Sequence, residues 1–424
     1  MSSFDLSHRF QEVSLRILAP DGTPVTQGPV TVEQTGHAFG FGNIGFDFVE
    51  LLGGSPEGPD AEASRVFGGA DADGAARLLE AWRDLFDTVT LPFYWRGFEP
   101  RPGVTDSARL LTTARWFADH GVRVKGHPLL WHTLAPEWLM EMTDAEVEAT
   151  IRARITREVG AFAGVIDQWD AINEAVILPV FTAEDNAVTR LAQSMGPVEM
   201  VRLAFESARD ANPSARLVLN DFDLSEDYER LIEDCLEAGI AIDAIGLQTH
   251  MHQGFRGEER IWSVLERFAR FGLPLQVTET TLLSGDLMPA EIVDLNDYLV
   301  DSWPSTPEGE DRQAEEVVRH YRTVVAHPAM ESLTYWGLTD EGSWLGAPSG
   351  LIRADGTVKP SYTALRDLVR GEWWHAPRAL RPDADGIVRV RGFAGDYRVT
   401  TPAGSEDFQV AASGPLEVRL TTRS

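Results

Sequence analysis

This chain of 424 residues has a single cysteine, no long apolar run and few basic residues. Cys235 cannot form a disulfide within the chain, and its apolar, helix-like surroundings predict a buried core residue. No stretch approaches the roughly 18 consecutive apolar residues that a membrane helix needs, so a membrane protein is not predicted. The start of the chain lacks the charged and apolar segments of a secretory signal. We therefore expect a cytoplasmic protein, or a secreted one if a leader has been removed.

Acidic residues greatly outnumber basic ones. Lys and Arg number 37 and Asp and Glu number 66, which gives a formal net charge of −29. Such a chain is repelled by phosphate backbones and anionic lipids, so nucleic acid and membranes are not expected partners, whereas neutral or cationic ligands stay open. A merely soluble acidic surface would account for most of the charge. The apolar content of 43% supports a large core, and the length suits one barrel of about 250 residues with small additions.

Two glutamates each follow a short apolar run. Gln168–Ala175 reads Gln-Trp-Asp-Ala-Ile-Asn-Glu-Ala, and Leu273–Glu279 reads Leu-Pro-Leu-Gln-Val-Thr-Glu. If Ala161–Ile172 is a buried strand, Glu174 lies at its carboxyl end, where barrel enzymes place their chemistry. Taken alone, it could equally be a solvated acid in the first turn of a helix. Acids at the ends of different parallel strands can face each other across one pocket, as glycosidic bond cleavage requires, so Glu174 and Glu279 are the candidate catalytic residues.

Several short motifs occur in the order found in one enzyme family. They are Gly126–His132, Trp169–Ala175, Leu219–Phe222, Gly246–His250, Val277–Glu279, Tyr335–Asp340, Ser343–Trp344 and Lys359–Tyr362. Together they resemble glycoside hydrolase family 10, the xylanase family, over roughly residues 36 to 370. The resemblance implies an α/β fold, a (β/α)8 TIM barrel, and an endo-β-1,4-xylanase-like enzyme that cleaves β-linked plant-type oligosaccharides without cofactor or metal. It further implies that Glu174 is the acid/base and Glu279 the nucleophile of a retaining mechanism.

The same resemblance implies a set of residues that shape the sugar site. They are His127, Trp131, Asn173, Gln248, His250, Trp336 and Trp344. In the family pattern His127 and Trp131 line the sugar at the point of cleavage. Asn173 contacts the sugar 2-hydroxyl, and His250 hydrogen-bonds the nucleophile. A strand-end histidine is otherwise often a structural residue, and Trp336 could equally pack in the core.

Two places depart from the family pattern. Pro92–Trp95 stands where the family has a Glu-Asn pair and a lysine that hold the sugar next to the cleaved one. The second sugar site is therefore predicted to lack charged and amide donors, which argues against a standard xylanase. Thr281 replaces the aspartate that steadies His250 in the family. Glu279 is therefore predicted to lie in an altered electrostatic setting, with a shifted pH optimum.

Three features of the sequence allow other interpretations. His250 and His252 form a His-x-His pair that could bind a metal, although such pairs open metal-dependent barrels near the first strand. Gly40–Gly45 matches the dinucleotide fingerprint, but no second strand ending in an acid follows about 20 residues on, and a tightly packed strand over Ala38–Asn43 is preferred. A catalytically silent carbohydrate-binding protein is the third, and the presence of both carboxylates argues against it.

Three segments are predicted: an N-terminal β extension at 1–35, the barrel at 36–370 and a small C-terminal β module at 371–424. Alternating patterns predict strands at both ends, which could together form one sandwich, and Trp373 and Trp374 could bind sugar or pack at the interface.

Asn220 and Asp221 are predicted to orient catalytic groups, with an Asx turn as the alternative. The sequence makes no prediction of the oligomeric state. Besides the strand before Glu174, barrel strands are predicted at Ala38–Asn43, Thr88–Trp95, Val122–His127, Arg216–Asn220, Ala244–Gln248, Leu273–Glu279 and Ser332–Trp336.

Overall fold

Strands and helices alternate through most of the chain. The computed structural model describes residues 5–56 and 72–421. The strands are β1 (Phe10–Leu18), β2 (Val30–His37), β3 (Gly40–Ile44), β4 (Thr88–Pro92), β5 (Arg123–His127), β6 (Gln168–Asn173), β7 (Arg216–Asp221), β8 (Ala244–Met251), β9 (Leu275–Leu282), β10 (Met330–Tyr335), β11 (Arg378–Leu380), β12 (Ile387–Phe393), β13 (Gly395–Thr401), β14 (Gly404–Val410) and β15 (Gly414–Arg419). The helices are α1 (Phe48–Gly53), α2 (Ala72–Leu85), α3 (Trp95–Phe98), α4 (Ser107–Asp119), α5 (Asp144–Phe162), α6 (Ala187–Met195), α7 (Pro197–Ala211), α8 (Glu226–Glu237), α9 (Glu258–Ala269), α10 (Pro307–Ala326) and α11 (Pro360–Asp367). In the described part of the chain, no helix has the length and apolar character needed to cross a bilayer.

Eight parallel strands close into a barrel. The order around it is β10, β3, β4, β5, β6, β7, β8 and β9, so the last strand pairs with the first. Helices between successive strands cover the outside, because the strands of a parallel barrel are buried on both faces. Their apolar side chains join those of the strands in one continuous core, which includes the buried Cys235 on α8. The predicted (β/α)8 barrel is confirmed.

The glycine-rich segment at Gly40–Gly45 supplies the first barrel strand, β3. A Cβ atom at Gly40 would lie 2.8 Å from the Ser332 Cβ, and one at Gly42 would lie 2.7 Å from the Thr334 hydroxyl. Glycine is needed at both positions because β10 approaches so closely. The segment therefore packs inside the barrel wall, as the preferred interpretation has it, and does not form a phosphate-binding loop.

Two predicted strand boundaries are wrong. β4 ends at Pro92, which has no N–H group to continue the ladder, and Trp95 begins helix α3 instead of ending the strand. The apolar run before the first glutamate contains a helix end as well as a strand. Helix α5 continues to Phe162, and β6 begins only at Gln168. Apolar composition alone cannot separate a buried helix end from a buried strand.

Strands β8 and β9 are longer than predicted. They continue to Met251 and Leu282, because His250 still pairs in register with Thr281. The candidate residues His250 and Glu279 therefore lie within strands and not at their tips. Pairing between β8 and β9 holds both backbones in place.

Strands from the two ends of the chain pair with each other. β1 lies between β12 and β15 in one sheet, and β2 lies between β11 and β13 in a second sheet that ends in β14. Apolar side chains from the two sheets pack together in a core separate from that of the barrel. The terminal segments are thus parts of one two-sheet unit, although the boundaries at residues 35 and 371 stay predictions. The sequence pattern predicts neither β11 nor β14.

This two-sheet unit is anchored on the barrel. Arg9 donates hydrogen bonds to three carbonyl groups between the end of α10 and the start of β10, at 2.7 to 2.8 Å. Trp373 is 1% exposed, and its ring stacks on those of Phe41 and Phe393 at centroid distances of 5.8 and 5.6 Å. Of the two roles left open for Trp373, the structure supports packing at the interface.

Candidate active site

A cavity of about 1630 Å³ opens at the carboxyl ends of the barrel strands. This is the end at which (β/α)8 enzymes hold their substrates. All site residues predicted from the sequence line it: Glu174, Glu279, His127, Trp131, Asn173, Gln248, His250, Trp336 and Trp344. The barrel therefore brings together residues from distant parts of the chain.

Glu174 lies directly after β6, where the backbone turns out of the strand. Its φ is +57°, in the left-handed region that few residues other than glycine adopt. Its N–H donates to the carbonyl oxygen of Asn220 at 2.8 Å, which ties the turn to β7. The carboxyl group accepts hydrogen bonds from the indole of Trp131 at 2.7 Å and the amide of Gln248 at 3.3 Å. Backbone and side-chain contacts together fix this carboxyl in the cavity.

The environment of Glu174 favours its protonated form. Burial, with the negative charges of Asp221 and Glu279, raises the pKa of Glu174 to about 8, against the opposing effect of the Trp131 hydrogen bond. Burial also raises the pKa of Asp221 to about 7. Near neutral pH Glu174 therefore holds a proton, as a general acid must.

Glu279 faces hydrogen-bond donors on both carboxylate oxygens. The amide of Asn220 donates to Oε1 at 3.1 Å, and the Nε2 atom of His250 lies 3.0 Å from Oε2. The Nε2 atom of His127 lies 4.0 Å from Oε1. Because carboxylate oxygens are hydrogen-bond acceptors, the Asn220 and His250 donors match the two oxygens of Glu279. Two acids in one cavity thus have different surroundings.

A chain of amide hydrogen bonds links the two carboxyl groups. Gln248 Nε2 donates to Glu174 and to Asn173 Oδ1, the latter at 3.1 Å. Asn220 Nδ2 donates to the same Asn173 oxygen at 2.7 Å and to Glu279. The positions of the two acids therefore depend on each other through three amide side chains. Asn220 contacts Glu279 directly, which supports its predicted orienting role over a simple Asx turn.

A buried ion pair orients His127. Asp170 lies 2.7 Å from His127 Nδ1 and 2.6 Å from Lys125 Nζ. Burial acts to raise the pKa of Asp170, but Lys125 and His127 outweigh it and hold that pKa below its usual range. The charged Asp170 keeps the proton of His127 on Nδ1, so Nε2 faces the cavity. Neither Asp170 nor Lys125 was singled out from the sequence, although Lys125 and His127 are two residues apart on one strand and so share a face.

Comparison with known proteins identifies the family of this barrel. The family model described as glycosyl hydrolase family 10 matches residues 94–368, which is more than half of the chain. The chain belongs to glycosyl hydrolase family 10. It is therefore a glycoside hydrolase, and the resemblance of its motifs is confirmed.

Individual relatives of this family 10 chain are distant. A beta-1,4-xylanase of Dictyoglomus thermophilum is 27% identical over 265 residues, covering 59% of this chain and 70% of the relative. Endo-1,4-beta-xylanase C of Paenibacillus barcinonensis is 27% identical over 296 residues, which is 60% of this chain but 26% of that longer protein. Xylanase 10B of Thermotoga petrophila, solved in complex with xylobiose, has a TM-score of 0.60 and 21% identity, and the match covers 79% of this chain and 95% of that one. That structural likeness shows the shared fold.

Thr281 lies beside two histidines, His250 and His252. Its hydroxyl lies 3.3 Å from His250 Nδ1 and 3.4 Å from His252 Nδ1. A neutral hydroxyl thus contacts the histidine that contacts Glu279. In residues 5–56 and 72–421, no group of three or more His, Cys, Asp or Glu side chains is arranged to hold a metal ion.

Aromatic rings form one wall of the cavity beside the end of β4, where the sequence is predicted to depart from the family pattern. The Tyr94 ring lies against those of Phe46, His127 and Trp131, at centroid distances of 5.6 to 5.8 Å. Phe46 lies two residues after the first barrel strand, β3, and was not identified from the sequence, because a lone phenylalanine there is typical of core packing. This part of the cavity offers ring faces to a ligand.

Two tryptophans frame the mouth of the cavity in different ways. Trp336 is 9% exposed and packs edge to face on His127 at 5.2 Å. Trp344 is 36% exposed, and its ring lies 4.8 Å from that of His250. Trp336 combines core packing with a place in the cavity wall, whereas Trp344 is free to stack on a ligand.

Proposed function

We propose that this enzyme hydrolyses β-linked xylo-oligosaccharides, or closely related plant-type β-glycosides, with retention of configuration at the cleaved carbon. The observation that carries the proposal is the pair of glutamates in one cavity, one surrounded so as to stay protonated and the other surrounded by donors. Support for the sugar comes from relatives that are xylanases and from a similar structure that was solved with xylobiose.

In the first step Glu279 attacks the anomeric carbon. A bond forms between a Glu279 oxygen and that carbon while the glycosidic C–O bond breaks, and Glu174 gives its proton to the departing oxygen. Asn173 uses its Oδ1 to accept from Asn220 and Gln248, which directs its Nδ2 donor to the sugar 2-hydroxyl. This contact strengthens as positive charge develops on the sugar.

In the second step water releases the sugar. Glu174, now ionised, takes a proton from water, whose oxygen bonds to the anomeric carbon as the ester bond to Glu279 breaks. Both carboxyl groups return to their starting states. Trp131, which donates to Glu174, stabilises the ionised form that this step requires.

Azide rescue tests the two roles separately. In Glu279→Ala, turnover of an aryl β-xyloside is expected to be lost, and azide should restore it as the α-glycosyl azide because it attacks in place of the missing nucleophile. In the matched variant Glu174→Ala, azide should instead intercept the glycosyl-enzyme and give the β-glycosyl azide. Ordinary hydrolysis by Glu279→Ala would refute the nucleophile assignment.

A further inference from the structure

Three nitrogen atoms surround the hydroxyl group of Thr281. The backbone N–H of Met251 donates to it at 3.3 Å, and the Nδ1 atoms of His250 and His252 lie 3.3 and 3.4 Å away. Thr281 and His252 are buried, so these contacts are shielded from bulk water. A hydroxyl group has one proton to donate and two lone pairs that accept. Because Met251 occupies one lone pair, one histidine nitrogen accepts from Thr281 and the other donates to it.

The other contacts of the two rings fix the direction of these hydrogen bonds. The Nε2 atom of His250 lies 3.0 Å from Glu279 Oε2, and a carboxylate oxygen accepts, so Nε2 carries the proton of a neutral His250. Its Nδ1 atom then accepts from the Thr281 hydroxyl, and His252 donates from Nδ1. Burial lowers the pKa of His252 to about 3, so near neutral pH this ring has a single N–H group.

The opposite direction is less favourable. It requires a doubly protonated His250, whose Nδ1–H would donate to Thr281, and it moves the proton of His252 to Nε2. The Nε2 atom of His252 is buried and has no hydrogen-bond partner among the described residues. A buried N–H group without an acceptor is rare in proteins because its hydration is lost without compensation.

The direction matters for the carboxylate that reacts. In the second step of the proposed mechanism the bond from the sugar to Glu279 breaks, and negative charge returns to the carboxylate oxygens. A donor that is already held 3.0 Å from Oε2 stabilises this charge without rearrangement. Because a neutral His250 carries no full positive charge, it attracts the ionised nucleophile less before the first step than an imidazolium would.

We propose that Thr281 and His252 are positioning residues that act on Glu279 through His250. In this relay His252 Nδ1–H donates to Thr281, the Thr281 hydroxyl donates to His250 Nδ1, and His250 Nε2–H donates to Glu279. The ring of Trp344 packs edge to face on that of His252, at a centroid distance of 5.1 Å, and so helps to hold the relay in place. The proposal rests on the proposed function, because its benefit falls on the release of the sugar from Glu279.

Nuclear magnetic resonance of the full chain with isotope-labelled histidine tests the direction of the relay. We expect His250 as the Nε2–H tautomer and His252 as the Nδ1–H tautomer, with signals assigned from His250→Gln and His252→Gln. Thr281→Val removes the hydroxyl at almost equal size, so the N–H proton signal of His252 should move upfield as its acceptor is lost. Thr281→Ser keeps the hydroxyl and should keep that signal in place. A doubly protonated His250, or His252 as the Nε2–H tautomer, would overturn the relay.

Kinetics on an aryl β-xyloside with a good leaving group test its effect, since release of the sugar then limits kcat. Thr281→Val should lower kcat about tenfold, the effect of weakening one hydrogen bond to a charged group, and should change kcat/KM less. Thr281→Ser should recover most of this loss. The control is Thr323→Val, which removes a buried hydroxyl that donates to the Arg319 carbonyl at 2.8 Å, and it should keep kcat.

A second pair of variants separates hydrogen bonding from packing. His252→Asn and His252→Leu both remove the ring that packs on Trp344, but the asparagine amide keeps an N–H donor close to the position of Nδ1. We therefore expect kcat to fall further in His252→Leu than in His252→Asn. Equal losses in these two variants, or equal kcat values in Thr281→Val and the unmodified enzyme, would overturn the positioning role.

The measurements also separate this proposal from the proposed function. The tautomers are observed without turnover. If the unmodified protein hydrolyses no β-xyloside, the proposed function fails, and the tautomers then decide the relay alone. The predicted tautomers, with the upfield shift in Thr281→Val, would leave the relay standing, and any other pair of tautomers would overturn it.

Discussion

Replacing Trp131 by phenylalanine should shift the pH dependence of the enzyme towards alkaline values. The Trp131 indole donates to a Glu174 oxygen at 2.7 Å and thereby favours the ionised carboxylate. A hydrogen bond to a charged group contributes about 1.5 kcal/mol at the lower end of its range, and 1.36 kcal/mol corresponds to about one pKa unit. In Trp131→Phe the pKa of Glu174 should therefore rise by about one unit above its value of about 8.

The pH profile of kcat/KM provides the readout. Because kcat/KM reports the ionisation of the free enzyme, its alkaline limb should move up by about one pH unit in Trp131→Phe. The control is Trp138→Phe, which removes an indole that donates to the Glu99 carbonyl and does not contact Glu174. An alkaline limb that stays in place or moves to lower pH in Trp131→Phe would refute the argument, whatever happens to KM.

Two further changes test the electrostatics and the packing of the site. Glu174→Gln should stabilise the fold more at pH 8 than at pH 5, by about 3 kcal/mol in the free energy of unfolding. The pKa of Glu174 is raised in the folded chain, so the folded chain keeps a proton that the unfolded chain loses as pH rises above about 4.5. Thermal melts of both proteins at pH 5 and pH 8 measure the difference in stability. An equal effect of Glu174→Gln at both pH values would contradict the raised pKa. Gly246→Ala would place a Cβ 2.4 Å from the Asn220 Oδ1 atom and push Asn220 away from Glu279. We therefore expect kcat to fall at least tenfold. A kcat equal to that of the unmodified enzyme would show that Asn220 does not hold Glu279 in place.

The candidate pair Glu174 and Glu279 could be predicted from the sequence because each glutamate follows an apolar run that forms a barrel strand. Parallel strands share one carboxyl end, so two such acids are brought together by topology alone. The prediction of Glu174 and Glu279 therefore required no knowledge of side-chain packing. The lengths of β8 and β9 were harder to predict, because polar residues, such as Thr281 in β9, extend each strand beyond its apolar part.

Other features of the site depend on contacts between segments that are distant in the sequence. Asp221, on a neighbouring strand, raises the pKa of Glu174, and no local sequence pattern predicts that the two side chains lie close together. Tyr94 lies two residues after β4 and lines the cavity beside rings from distant parts of the chain, including that of Trp131.

Covalent trapping tests the double-displacement account most directly. A 2-deoxy-2-fluoro-β-xyloside with a good leaving group should react with the enzyme and stay attached, because the fluorine slows both steps while the leaving group speeds only the attachment of the sugar. Digestion and mass spectrometry of the trapped protein are expected to place the fluorosugar on Glu279, in the peptide that contains β9. A fluorosugar attached to Glu174 or to any other residue would contradict the account.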